Sequence, residues 1–223
     1  MHKQLPAPTL RNLRKMTPRW PMTYHQALRA AERQASRLAR AWNADEQIIR
    51  EVHILSLTRM TIVREAPNDH ERCRSSGASR YANGHWEVWL NPDEPLVRQR
   101  FTLAHEVKHI IDSGCAVDKI YARLTAAEIE RVCDQFAACL LMSKQAIFRL
   151  WGDGVRTPET LAMACHVSVS AMKRRMTDLG LPIDLDEPTP LTYSTVFPDG
   201  PHPDTLPGHL MPDMPTMPSG VTT

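Results

Sequence analysis

The run Phe101-Thr102-Leu103-Ala104-His105-Glu106-Val107-Lys108-His109 ends in an HExxH pattern. On an α-helix, residues four apart lie one above the other on the same face, so His105 and His109 can aim both imidazoles at one metal ion. Glu106 follows one step round, beside the open side of that ion. Zinc held by two histidines, a third protein ligand and a water makes a hydrolytic centre, because the metal brings the pKa of that water to about 7 and polarises a carbonyl. In that chemistry Glu106 is the general base. Two core histidines beside a surface glutamate would spell the same five letters, and the flanks separate the two readings. Phe101, Leu103, Ala104, Val107, Ile110 and Ile111 form an apolar stripe around the polar triplet, and nothing between Arg98 and Asp112 breaks a helix.

A third ligand is expected from a second helix packed on the first. Residues 125–142 form a strong helical segment, with Thr125 as N-cap and Glu128 at the capping-box position. Glu128 is thereby claimed by the cap. Glu130 lies close to the buried stripe that contains Val132 and Phe136 and is the candidate ligand; the competing reading is a surface glutamate paired with an arginine. Asp134, four residues on, is placed to hydrogen-bond the ring nitrogen of a ligand histidine and fix its tautomer.

These two segments resemble the ImmA/IrrE-type metallopeptidases, whose RxRFTLAHExxH helix is followed downstream by one of the form ExxA(N/D)xFAAxLLMP. The matching stretches run from Arg98 through Arg100 and Phe101 to His109, and from Glu130 through Asp134 and Phe136 to Met142. The resemblance implies that His105, His109 and Glu130 hold Zn2+ and that Glu106 is the catalytic base. Cys133 and Ser143 depart from the pattern, which has alanine and proline there, and both are small residues outside the inferred ligand set. The resemblance covers roughly residues 20 to 181. It further implies a zinc-dependent endopeptidase whose substrate is a specific cytoplasmic protein, a helix-turn-helix transcriptional repressor or an antitoxin, cut to relieve repression.

Around the two helices the pattern is α+β. Thr61-Ile62-Val63 and His85-Trp86-Glu87-Val88-Trp89-Leu90 have strand composition, and Asn83-Gly84 is a two-residue hairpin turn, so a small antiparallel sheet is expected ahead of the metal helix. Trp86 and Trp89, on opposite strand faces, divide between core and cleft or surface. A sheet edge beside the metal can bind a peptide as an added strand. Thr23 caps a helix through Trp42 whose outer face carries Arg29, Arg33, Arg37 and Arg40. Thr157-Pro158 opens a helix, turn, helix segment over 157–181, helix-turn-helix-like in outline, with Lys173, Arg174 and Arg175 on its second element. Closing the peptidase domain is its preferred role. Residues 1–20 read as a flexible N-terminal extension, 21–181 as the metallopeptidase domain and 182–223, holding ten of the eighteen prolines, as a disordered tail.

Composition bounds the setting. Net charge is +2 over 223 residues, but the first sixty carry eleven Lys and Arg against four Asp and Glu. Without aromatic residues interleaved among those charges, direct nucleic-acid binding is not expected. No apolar run approaches the roughly 20 residues that span a bilayer, and the basic N-terminus has no secretory apolar core, so no membrane and a cytoplasmic location are expected. Cys73, Cys115, Cys133, Cys139 and Cys165 are odd in number and lack a CxxC pair, which fits reduced thiols. The alternative function is a non-catalytic DNA-binding or toxin-antitoxin regulator that retains the zinc fold, and the presence of Glu106 and the ligands favours the enzyme. His85, Tyr121 and Arg123 are the candidates, by chemistry alone, for stabilising a tetrahedral intermediate.

Overall fold

The computed structural model describes residues 9–44, 48–64 and 76–183, which fall in one compact unit. In chain order the elements are α1 (Leu10–Arg14), α2 (Tyr24–Ala41), α3 (Glu51–Leu55), β1 (Met60–Val63), β2 (Gly77–Ala82) and β3 (His85–Leu90). They continue with α4 (Leu96–Asp112), α5 (Val117–Ile120), α6 (Ala126–Leu141), α7 (Lys144–Gly152), α8 (Pro158–Cys165) and α9 (Val169–Leu179). Among the described residues this is an α+β fold of nine helices and one three-stranded sheet.

The sheet is mixed, which corrects the antiparallel expectation. Its order is β1-β3-β2; β2 runs antiparallel to β3, and β1 runs parallel to β3 with Met60 opposite Trp86 and Val63 opposite Trp89. The Asn83-Gly84 turn, with both residues at positive φ, closes the β2–β3 hairpin. β1 pairs on the edge of β3 that the hairpin leaves open, which makes β3 the central strand. Val88 and Leu90 are buried against α4, whereas Trp86 and Trp89 are both half-buried. Neither tryptophan is a core residue: Trp86 packs on Tyr81, and Trp89 lies under the Arg80 guanidinium.

α4 and α6 form the core pair. Leu103, Ala104, Val107, Ile110 and Ile111 of α4 and Val132, Phe136, Ala137 and Leu140 of α6 are wholly excluded from solvent. α2 packs along α6 through a face made mostly of Ala27, Ala30, Ala31, Ala35 and Ala39, small side chains that let the two backbones approach closely. Its Arg29, Arg33 and Arg40 are exposed on the other side. The N-cap expected at Thr23 and the capping box expected at Thr125 with Glu128 are present, and Thr23 also forms a capping box, with Gln26 as its returning side chain. Ser143, one of the departures from the resembling pattern, caps α7 by accepting from the Ala146 N–H.

Residues 1–20, expected to be flexible, carry a packed helix in their described part. Leu13 is buried, and Arg14 donates to the carbonyls of Ile110 and Ile111 at the end of α4. Those are carbonyls that a helix end leaves without internal partners, which explains the anchoring. Residues 184–223, which hold nearly all of the tail, and Cys73 lie outside the described residues. No described helix is long and apolar enough to cross a membrane.

Candidate metal centre

His105 and His109 stand one turn apart on α4, and α6 brings Glu130 over them. His105 Nε2 is 3.2 Å from His109 Nε2 and 3.2 Å from Glu130 Oε2, and His109 Nε2 is 3.6 Å from Glu130 Oε1. A tetrahedral zinc with bonds of 2.0–2.1 Å sets its ligand atoms about 3.3 Å apart. These three side chains therefore have the spacing that the metal requires.

The outward nitrogens agree with that assignment. His105 Nδ1 lies 2.9 Å from Asp134 Oδ1, and His109 Nδ1 lies 3.8 Å from Cys133 Sγ. A proton on each Nδ1 finds an acceptor there, so each Nε2 presents its lone pair to the common point. Burial works to lower the His105 pKa, but the hydrogen bond and charge of Asp134, with Glu106 and Glu130, outweigh it and hold it above the ordinary value. Asp134 is held below the usual carboxylate range, chiefly by its hydrogen bond to His105. The side chain of Glu130 is 59% exposed, so the cluster opens to solvent on that side.

Cys133 also comes within 4.8 Å of both imidazoles and could be counted as a third ligand in place of Glu130. Its position speaks against that. The sulfur faces Nδ1 of His109, on the side of the ring away from Nε2, and burial pushes the thiol pKa up. A neutral thiol behind the ring is a hydrogen-bond partner, whereas the Glu130 carboxylate sits where the two Nε2 atoms converge.

Glu106 is 8% exposed, and its Oε2 accepts a hydrogen bond of 2.7 Å from Ser79 Oγ on β2. Nothing in the sequence singles out Ser79, a lone serine in a short strand of mixed composition. Glu128 is occupied by its cap: Oε2 accepts from the Thr125 N–H at 2.8 Å, and this bond lowers its pKa. The candidates for stabilising a tetrahedral intermediate are not brought to the cluster. His85 is on the face of β3 turned from α4, beside Glu87. Tyr121 is buried and donates to Asp112 Oδ2 at 2.7 Å, with Lys108 Nζ also bound to Asp112 at 2.5 Å. Arg123 is exposed and makes no hydrogen bond or ion pair with the cluster.

The segment 157–181 is two helices, α8 and α9, joined through a left-handed His166 (φ 52°). Lys173 and Arg174 are exposed, but Arg175 is buried and donates from Nε to the Met142 carbonyl at 3.1 Å. Arg100 of α4 reaches the Cys165 and His166 carbonyls at 2.8 and 2.6 Å. The pair is thus fastened at two points, the end of α8 to α4 through Arg100 and the middle of α9 to the end of α6 through Arg175.

Compared with known families, residues 63–177, just over half of the chain, match the model of Peptidase_M78, described as the IrrE N-terminal-like domain. The match includes every residue of the cluster. No curated protein sequence matches the chain.

Proposed function

The chain belongs to the Peptidase_M78, IrrE N-terminal-like family, and on that premise we propose that it is a zinc-dependent endopeptidase with His105, His109 and Glu130 as metal ligands and Glu106 as general base. The observation that carries the reading is the convergence of two Nε2 atoms and a carboxylate at 3.2–3.6 Å, with both Nδ1 atoms turned to partners of their own. Zinc bound there would supply Lewis acidity, activating a water near neutral pH and polarising the scissile carbonyl.

The protein's own groups account for the rest. Asp134 and Cys133 hold the two imidazoles in the ligand tautomer. Ser79 pins Oε2 of Glu106, which leaves Oε1 to take the proton of the attacking water and pass it to the departing amine as the C–N bond breaks. The outer edge of β2, beside Glu106, is the place where an extended peptide would add as a further strand.

The substrate in this proposal is one cytoplasmic protein, a helix-turn-helix repressor or an antitoxin. Its support is the family and the way α9 is fastened onto the peptidase helices, which suits a packing role for the 157–181 pair better than DNA reading. The test is co-expression of wild type and Glu106→Gln with the regulator encoded beside it, followed by fragment mapping by mass spectrometry. Fragments are expected with wild type alone, while both proteins hold about one zinc per chain. Intact regulator in both, together with specific DNA binding by the protein, would replace the peptidase reading with the non-catalytic regulator.

A further inference from the structure

Next to the metal centre a trough of about 320 Å3 lies between α4 and α6, roofed by α9. Phe101, Ala138, Met142 and Ala171 give it an apolar lining, and Arg98 and Arg174 stand at its rim. It is continuous with the cluster by helical register. Phe101 precedes His105 by one turn of α4, Ala138 follows Asp134 by one turn of α6, and a turn advances about 5.4 Å. The His105–Asp134 hydrogen bond is therefore the wall between trough and metal point. The roof is held from two sides, since Arg100 ties the turn before α9 to α4 and Arg175 ties the middle of α9 to the end of α6.

The strand β2 gives the trough a direction. Gly77 lies against Thr102 and Ser79 against Glu106, so β2 runs alongside α4 in the same sense. Among the described residues β2 pairs only with β3, which leaves its other edge for a peptide. Antiparallel pairing is the more stable choice, and a peptide so added runs back along α4 toward Phe101. The residue that follows the scissile bond then lies over the trough.

On the premise of the peptidase reading, we infer that this trough is the subsite for the residue on the C-terminal side of the cut. It takes an apolar side chain of leucine, methionine or phenylalanine size, with an acidic residue next to it. The volume is at the small end for ligand pockets, suited to one or two side chains. Charge favours the acid. Basic groups outnumber acids in the lining: Arg98, Arg174 and Arg175 stand against Asp134, which is bound to His105, and Asp178, which is one turn from Arg174 on the same side of α9. Arg174 is exposed and, like Arg98, acts on Asp134 through its charge without a direct contact, while Arg98 also makes a 3.2 Å bond to Ser76 Oγ and a 3.9 Å approach to Glu94.

Succinyl hydroxamates test this without turnover, because the hydroxamate anchors on bound zinc and the following side chains enter the subsites. Calorimetric titration of the zinc-loaded full chain would compare probes with an isobutyl group or none, each followed by glutamate or lysine amide. Isobutyl is expected to tighten binding by about tenfold or more, and glutamate to be preferred over lysine by about fivefold. Arg174→Glu should invert the glutamate–lysine order. Ala171→Trp should erase the isobutyl gain and still bind the unsubstituted probe. No isobutyl gain in wild type, or an unchanged order in Arg174→Glu, overturns the subsite even where wild type cuts its substrate. The expected binding pattern without any cleavage would instead leave the trough as a site for an apolar side chain followed by an acid and remove both the peptidase reading and the assignment to the residue after a cut. Failure of zinc-loaded wild type to bind any hydroxamate overturns both.

Discussion

Each imidazole of the cluster has its outward nitrogen engaged by a different neighbour on α6, a carboxylate for His105 and a thiol for His109. The carboxylate is the stronger acceptor, so Asp134→Asn is expected to weaken zinc binding about 10- to 100-fold in competition with a chromophoric chelator. The same pair gives a pH signature in metal-free protein. His105 is raised, so its contribution is complete below its unfolded pKa and lost as pH rises through the folded one. Asp134 is lowered, so its contribution is complete above its unfolded pKa and lost as pH falls through the folded one. The thermal penalty of Asp134→Asn should therefore be largest near pH 5–6 and shrink toward pH 9, amounting to about 1 kcal/mol or less because the carboxylate is partly solvated. The two glutamates of α6 separate just as sharply. Glu130→Ala should lose stoichiometric zinc by elemental analysis, whereas Glu128→Ala should keep it and lower Tm slightly through the lost cap. The reverse result would move the third ligand to Glu128.

At the scale of elements, α4 presents opposite chemistries on two faces. Behind the histidines, Lys108 is 1% exposed and bound to Asp112 and Tyr121. Removing one member of a buried pair strands the other charge, so Lys108→Ala is expected to cost about 3–5 kcal/mol by denaturant unfolding. A loss under 1 kcal/mol would mean that water reaches Asp112. On the sheet side the contact is close: a Cβ at Gly77 would stand 2.7 Å from the Trp89 carbonyl oxygen and 2.5 Å from Thr102 Cγ2. Backbone cannot yield cheaply there, and Gly77→Ala should cost about 1–3 kcal/mol. It should also shift Ser79 away from Glu106, lowering kcat more than zinc content. The caps of α2, α6 and α8 and the apolar stripes of α2, α4 and α6 are legible in sequence, because capping and 3.6-residue periodicity depend on residues within one or two turns. The helices α1, α3 and α5, of four or five residues each, have too few turns to show a period.

For the molecule as a whole, the three candidate ligands join two core helices, so metal and fold should be linked on the proposed reading. Free zinc at 100 times its Kd adds about 2.7 kcal/mol, which corresponds to roughly 5–10 °C in Tm for a domain of this size. A chelator should remove that increment from wild type and leave His105→Ala unchanged. Equal chelator effects on both would place the metal elsewhere. The N-terminal helix belongs to the same linkage, since Arg14 holds the end of α4 beyond the second histidine. Its anchoring is invisible in sequence because its partners are backbone carbonyls about a hundred residues away.

The sequence alone determined the metal helix, the capped helix after it, the choice of Glu130 over Glu128 as candidate ligand and the hairpin at Asn83-Gly84, all of which follow from chemistry within a few residues of the chain. Tertiary structure decided what those pieces meet. It set β1 parallel to β3 and put the Ser79 hydroxyl on Glu106. It placed Cys133 behind His109 and laid α9 over the groove beside the ligands. Each of these joins groups from separate elements, and their packing depends on how shapes and unpaired polar groups fit across the core, which no local pattern encodes.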